Sequence, residues 1–229
     1  KKFSRNPELY FNSDIPKLVS GVESGNTLKE LSPKFLQVIN NIMNPDNIGG
    51  HLIYSNFRQL EGIGILSIIL KFYGFIELRV EQTPSGNTLV LDGMYNNDRY
   101  VDSKKVFALY TGTETPEQKE IIRNIYNSKY DALPNNIQAR LKELFPNNTD
   151  KNLYGEIIKV FMITASGAEG IDLKNIRQVH IMEPWYNMNR IEQIIGRARR
   201  NCSHKDLPLD ERNVESFLHC TSLNTNVES

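Results

Sequence analysis

Four short apolar runs set the main limit on what this chain can become: HLIYSNF (51–57), VFALYTG (106–112), IKVFMITAS (158–166) and QVHIMEP (178–184). As a set they do not keep the apolar–polar alternation of half-wet strands, so they suit strands covered on both faces. The segments between them carry helical patterns. LSPKFLQVINNIMN reads as a helix with Ser32 as N-cap, Pro33 at its first position and Phe35, Val38, Ile39 and Ile42 on one face. Gln59 to Tyr73 has helical length, with Leu60, Ile63, Leu66, Ile69 and Leu70 at three- and four-residue spacing and Gly74 as a stop. TPEQKEIIRNIYN opens on a capping box of Thr115 and Gln118 with Pro116 at the first helical position. Arg190 to Arg200 is helical in pattern as well. Buried strands alternating with helices define an α/β fold, a mostly parallel sheet flanked by helices in three layers.

A chain of 229 residues buries enough core to fold without disulfides or metals. Its 27 basic and 27 acidic residues balance, which excludes a globally basic nucleic-acid binder but leaves room for a local basic patch. Two cysteines, Cys202 and Cys220, are too few for a disulfide scaffold and read as reduced thiols inside a cell. No apolar run approaches the roughly 18 residues of a membrane span, and KKFSRNPELY has no signal-peptide core and no initiator Met. The chain is expected to be part of a longer polypeptide. Residues 1–30 read as a linker or the edge of a preceding lobe, and 221–229 as the start of a further extension. Residues 76–103, with the turn words PSGN and DGMYNND, read as a hairpin-like insertion into the main domain of 31–220. Residues 129–155, around IQARLKEL, read as a second insertion.

Two words carry the chemistry. TASGAEGIDL (164–173) follows one buried run directly, and QIIGRARR (193–200) lies on the helix after the next. Ligands of open parallel sheets bind beyond the carboxyl ends of the strands, which puts both words on one rim. Small residues there let backbone N–H groups approach an anion, and Asp172 suits a ribose. Arg197 and Arg200, three apart on a helix, are expected to converge on one phosphate while Arg199 points elsewhere. The histidines His51, His180, His204 and His219 look scattered. Cys202 with His204 is half a metal site with no second pair, so no metal site is expected.

Taken together, TASGAEGIDL resembles motif V and QIIGRARR resembles motif VI of superfamily 2 helicases, both in the second RecA-like lobe. HLIYSNFRQLEGIG resembles motif IV and FALYTGTETPEQK the segment called IVa. EPWYNMNRIEQIIGRARRNCSH looks most like the helicase-like ATPases of large nucleocytoplasmic DNA viruses, the poxvirus nucleoside triphosphate phosphohydrolase I and early-transcription-factor type. The resemblance runs from about Leu31 to Cys220. It implies a RecA-like fold, with Arg200 as arginine finger, Arg197 assisting and Gln193 orienting. Gly170, Asp172 and Gly196 would meet the nucleotide. Ser55, Asn56, Phe57, Thr111, Gly112, Thr164 and Ser166 would meet the nucleic-acid backbone. Trp185 suits a stacking or bracing role, Glu61 a brace for the loop after motif IV, and the Cys-Ser-His word at 202–204 a structural one.

No G-x-x-x-x-G-K-[ST] and no D-E-x-[DH] word occurs in the sequence. The resemblance therefore implies half of an ATP site, with Mg²⁺ held by an N-terminal RecA-like lobe in cis and no hydrolysis by this segment alone. Implied partners are nucleic acid (DNA or RNA) and viral RNA polymerase, with no membrane, in host cytoplasm or virion. The alternative is a non-enzymatic nucleic-acid or polymerase docking module, against which the intact Arg197/Arg200 pair speaks.

Overall fold

The apolar runs become strands because both of their faces are claimed. In the computed structural model, which describes residues 28–58, 62–93, 105–147, 151–168, 170–184 and 186–221, every residue of β1 (Gly50–Ser55) is buried. Leu52 and Tyr54 enter one apolar cluster and Ile53 enters the other. Two short helices precede it, α1 (Leu28–Leu31) and α2 (Pro33–Met43), and α3 (Ile63–Phe72) follows. The hairpin β2 (Ile76–Thr83) and β3 (Gly86–Asp92) comes next, then β4 (Val106–Tyr110), α4 (Pro116–Tyr126) and α5 (Asn135–Leu144). The chain continues with β5 (Val160–Thr164), α6 (Ala165–Ala168), β6 (Ile176–Ile181), α7 (Met188–Ala198) and β7 (Glu215–Leu218).

The seven strands form one sheet in the order β3-β2-β4-β5-β1-β6-β7. Among the described residues only the β2–β3 pair is antiparallel. On one face Val38, Ile39 and Ile42 of α2 and Ile63, Leu66 and Leu70 of α3 pack on Ile53, Phe107, Val160 and Met162. On the other, Ile122 and Ile125 of α4, Ile137 and Leu141 of α5 and Ile191 and Ile194 of α7 pack on Leu52, Phe161, Ile163 and Val179. This is the expected three-layer arrangement with a mostly parallel sheet.

Local signals hold where they are strongest. Thr115 and Gln118 form the full capping box on α4, and Gly74 ends α3 with a left-handed φ of 83°. Ser32 does not cap α2 through its side chain; its carbonyl accepts from Leu36 N–H instead. The helix expected from Gln59 is described from Ile63, and Gln59, Leu60 and Glu61 lie outside the described residues.

Residues 94–103 and 148–150 of the two expected insertions lie outside the described residues, and the described parts pack on the sheet. Residues 76–92 do form a hairpin, but Ile76 and Glu77 pair in parallel with Val106 and Phe107, so it widens the sheet by two strands. Lys71 of α3 fastens it, lying 3.0 Å from Glu77 and 2.8 Å from Asp92. Arg79 also pairs with both carboxylates. Lys71 and Glu77 are buried within this network, so replacing Lys71 would leave both carboxylates to Arg79. Within 129–155, α5 covers the outer edge of β3: Asn136 donates to the Asn87 carbonyl at 2.7 Å and Arg140 to that of Leu89 at 3.4 Å.

Three of the four histidines are gathered rather than scattered. Rings of His51, His180 and His219 stack across β1, β6 and the end of β7, with His180 also stacked on Phe217. His51 Nδ1 lies 3.1 Å from His180 Nε2, and His180 Nδ1 lies 3.2 Å from His219 Nε2. Burial lowers His180 to about 3 and His219 to about 4, and holds His51 well below its ordinary value. All three are neutral at pH 7.

Candidate functional site

The carboxyl ends of β1, β4, β5 and β6 share one rim because those strands are parallel and adjacent. A cleft of about 590 Å³ opens there. Ser166 and Ala165 of α6 form one wall, Gln193, Ile194 and Arg197 of α7 another, and Tyr54 of β1 contributes to the floor. Asn187, Asn189 and Arg190 complete it. Residues 190, 193, 194 and 197 lie at three- and four-residue spacing, so one helix face supplies two guanidiniums and an amide to the cleft. Asn187 starts that helix by accepting from Asn189 N–H at 3.0 Å.

Arg200 stands apart. α7 ends at Ala198 with Arg199 as its C-cap, so Arg200 is off the helix rather than one turn above Arg197 on its face. The stop lies in the sequence that follows. The Ser203 hydroxyl donates to the Ala198 carbonyl at 3.0 Å, and Cys202 turns the chain with a left-handed φ of 60°. His204 then binds Ser203 Oγ through Nδ1 at 2.8 Å and the Ile176 carbonyl through Nε2 at 2.7 Å, tying this turn to β6. The Cys-Ser-His word thus acts on the chain path. The Arg200 guanidinium lies 3.5 Å from the Asp172 carboxylate. Both groups are about half exposed, so the pair is weak and easily exchanged for another anion.

The expected backbone contacts divide by burial. Ser55, Thr111 and Thr164 are buried, and each hydroxyl is engaged within the rim. Ser55 bonds Glu183 at 2.9 Å, Thr111 bonds Glu114 at 2.8 Å, and Thr164 bonds Ser166 at 3.0 Å. Their side chains hold loops in place and do not face solvent. Phe57, Gly112 and Ser166 are exposed and Asn56 partly so. Gly112 and Ser166 touch, since a Cβ on Gly112 would come 2.8 Å from Ser166 Oγ. Gly167 sits so close to the Tyr110 carbonyl that a Cβ there would strike it. Gly170, with φ of 70°, and Gly196, in mid-helix, face open space. Trp185 and Glu169 lie outside the described residues.

Tyr54, Asn187, Asn189 and Arg190 belong to the cleft without having been singled out in the sequence. The α7 periodicity points to Arg190, three residues before Gln193. Nothing local marks Tyr54, which reads as core. The cleft lining fits an anion: it carries guanidiniums and amides and, among the described residues, no carboxylate to hold a cation. Among the described residues no group of three or more His, Cys, Asp or Glu could hold a metal ion, and no helix is long and apolar enough to cross a membrane.

A parallel sheet with small residues after β5 and an arginine-bearing helix after β6 is the arrangement of the second lobe of a helicase. The chain belongs to the helicase conserved C-terminal domain family, whose model matches residues 71–202. It is 31% identical over 192 residues to a candidate ATP-dependent RNA helicase of Acanthamoeba polyphaga mimivirus, covering 84% of this chain and 26% of that protein. It is 31% identical over 209 residues to the termination factor NPH-I homolog of African swine fever virus, covering 84% and 26%. A third relative is nucleoside triphosphatase I of Melanoplus sanguinipes entomopoxvirus, at 27% over 196 residues, covering 85% and 22%. The chain thus spans about a quarter of the length of these relatives. Among solved structures, the C-terminal part of the Fun30 ATPase domain overlaps it with a TM-score of 0.47 at 16% identity, covering 92% of this chain and 46% of that one.

Proposed function

We propose that this lobe is the second half of a nucleic-acid-dependent ATPase, a helicase or translocase of the viral transcription or replication type. The observation that carries the reading is the convergence of Arg190, Gln193 and Arg197 on one cleft with Ser166, beside the exchangeable Arg200–Asp172 pair. ATP would lie between this cleft and an N-terminal lobe, which would hold Mg²⁺. Bound there, the metal would neutralise charge on the phosphates. Arg197 and Gln193 would orient the terminal phosphate from α7. Arg200 would leave Asp172 for the γ-phosphate as the lobes close, freeing the carboxylate for the ribose. Gly196 presents bare backbone on the exposed side of α7, and Gly170 a backbone turn beside Asp172. Asn56, Phe57, Gly112 and Ser166 would follow the nucleic-acid backbone along the rim, with Ser55, Thr111 and Thr164 supporting them from beneath. The transcription link follows the termination-factor name of the swine fever virus relative, and with it a viral RNA polymerase partner and a cytoplasmic or virion location.

The test is nucleotide turnover by the full-length protein with single-stranded DNA, duplex DNA and RNA in turn, alongside the 229-residue segment. Stimulated hydrolysis by the former and none above background by the latter is expected. Turnover by the segment alone would overturn the two-lobe reading.

A further inference from the structure

Glu183, just beyond β6, joins the loops that follow two neighbouring strands, β1 and β6. Its Oε2 accepts from the Ser55 hydroxyl at 2.9 Å and from Asn56 N–H at 2.8 Å, both at the end of β1. Ser55 Oγ in turn accepts from Phe57 N–H at 3.1 Å, which closes the local turn without Glu183. What Glu183 adds is the link to β6 and to the loop that leads into α7. Asn56 is gripped a second time, because its side-chain oxygen accepts from the Tyr54 hydroxyl at 2.8 Å. Tyr54 itself lines the cleft with Gln193 and Arg197. Hydrogen bonds therefore run unbroken from the cleft floor through Asn56 to the root of the α7 loop. Directly after Asn56 come Phe57 and Arg58, both exposed on the rim. A carboxylate bonded to a backbone N–H is a strong anchor, roughly twice a neutral pair. Together with the Tyr54 hydroxyl it leaves the 56–58 loop one register.

We infer that Glu183 is a positioning residue that fixes the 56–58 loop against the cleft and so makes nucleotide turnover respond to nucleic acid lying on that loop. The inference rests on the ATPase reading above. Glu183 touches neither ligand and acts through Asn56 and Tyr54.

The experiment uses the full-length protein and three variants, Glu183→Ala, Glu183→Gln and Tyr54→Phe. Turnover is measured with and without saturating oligothymidylate and oligouridylate, and circular dichroism melts establish that each variant is folded. Glu183→Ala should lower the ratio of stimulated to basal turnover about tenfold, as expected for a lost hydrogen bond to a charged group. Glu183→Gln keeps an oxygen for both donors and should restore the ratio to within about twofold. Tyr54→Phe should lower it by less, and the double variant Glu183→Ala/Tyr54→Phe no further than Glu183→Ala alone, because both act on Asn56. An unchanged ratio in folded Glu183→Ala overturns the inference, as does a Gln variant as impaired as the Ala one. Should Glu183→Ala not fold, an unchanged ratio in Tyr54→Phe overturns it equally. A wild type without turnover removes the ATPase reading and the inference with it; a stimulated wild type with an indifferent Glu183 removes the inference alone.

Discussion

β1 and β6 lie side by side and use polar side chains in opposite ways along their length. Within the sheet they carry His51 and His180, sealed, stacked and neutral. At the rim β1 ends in Ser55 and β6 leads to Glu183, beside a cleft whose arginines keep contact with water. Buried imidazoles bond and stack on one another and bind the strands into a unit. Rim groups bind each other just enough to hold position and leave charge to spare. Cohesion and chemistry are thus separated along two strands by a few residues.

The largest effect should come from the rim. In the full-length protein Arg200→Lys is expected to lower kcat by on the order of 10³-fold or more, with KM within a few-fold, because a finger acts on charge developing in the transition state. Lysine keeps the charge but loses the planar fork. Steady-state kinetics showing normal kcat would break the assignment of Arg200 to the functional end.

The histidine end predicts a pH dependence of stability. Each imidazole has a lower pKa folded than unfolded, so the unfolded chain binds more protons below about 6.5. Stability is fully present above that value and falls as the pH drops toward the folded values of about 3 for His180 and about 4 for His219. For His180 alone the loss is roughly 1.4 kcal/mol per pH unit, so thermal melts of this segment should drop by roughly 6–11 °C between pH 6.5 and 4.5. His219→Gln should flatten the curve. A wild-type melt that is flat over this range would refute the neutral stack.

Two rim glycines sharpen the contrast. Gly167→Ala forces a methyl against the Tyr110 carbonyl and should destabilise the lobe by about 1–3 kcal/mol in urea titrations. Gly196→Ala meets open space in mid-helix and should stabilise it by about 1 kcal/mol while slowing turnover of the full-length protein. The smallest effect belongs to Arg199→Lys, an exposed helix C-cap, where both stability and kcat should stay within about twofold.

What the sequence discloses depends on how far each signal reaches. The strand cores, the Thr115 capping box and the Gly74 stop are written in contiguous residues and are found where expected. β7 is not legible, because Glu215–Leu218 is an edge strand with mostly exposed side chains and no apolar run. The role of the 76–92 hairpin is hidden because only Ile76 and Glu77 join it to β4, across a turn of sequence that says nothing of pairing. The histidine stack needs three strands brought into register before it exists at all. At the site, the two words TASGAEGIDL and QIIGRARR locate the cleft. The end of α7 is misjudged by two residues because its stop is a side-chain bond from Ser203 rather than a glycine or proline. Tyr54 stays hidden because a tyrosine in an apolar strand looks like packing whether or not its hydroxyl has work.

The position of β1 in the sheet has a consequence for how the molecule is made. Its two neighbours are β5 and β6, and His51 pairs with Val160 on one side and Gln178 on the other, more than a hundred residues downstream. At ribosomal speeds of about 5–20 residues per second, β1 leaves the ribosome roughly 5–20 seconds before either partner strand. During that interval a largely buried ribbon with an apolar middle and two unpaired edges is flanked in sequence by α2 and α3. Refolding from denaturant, where all strands are present at once, should therefore be less prone to aggregation than synthesis stalled before residue 160. Slow codons or a bound chaperone would matter most between α4 and β5.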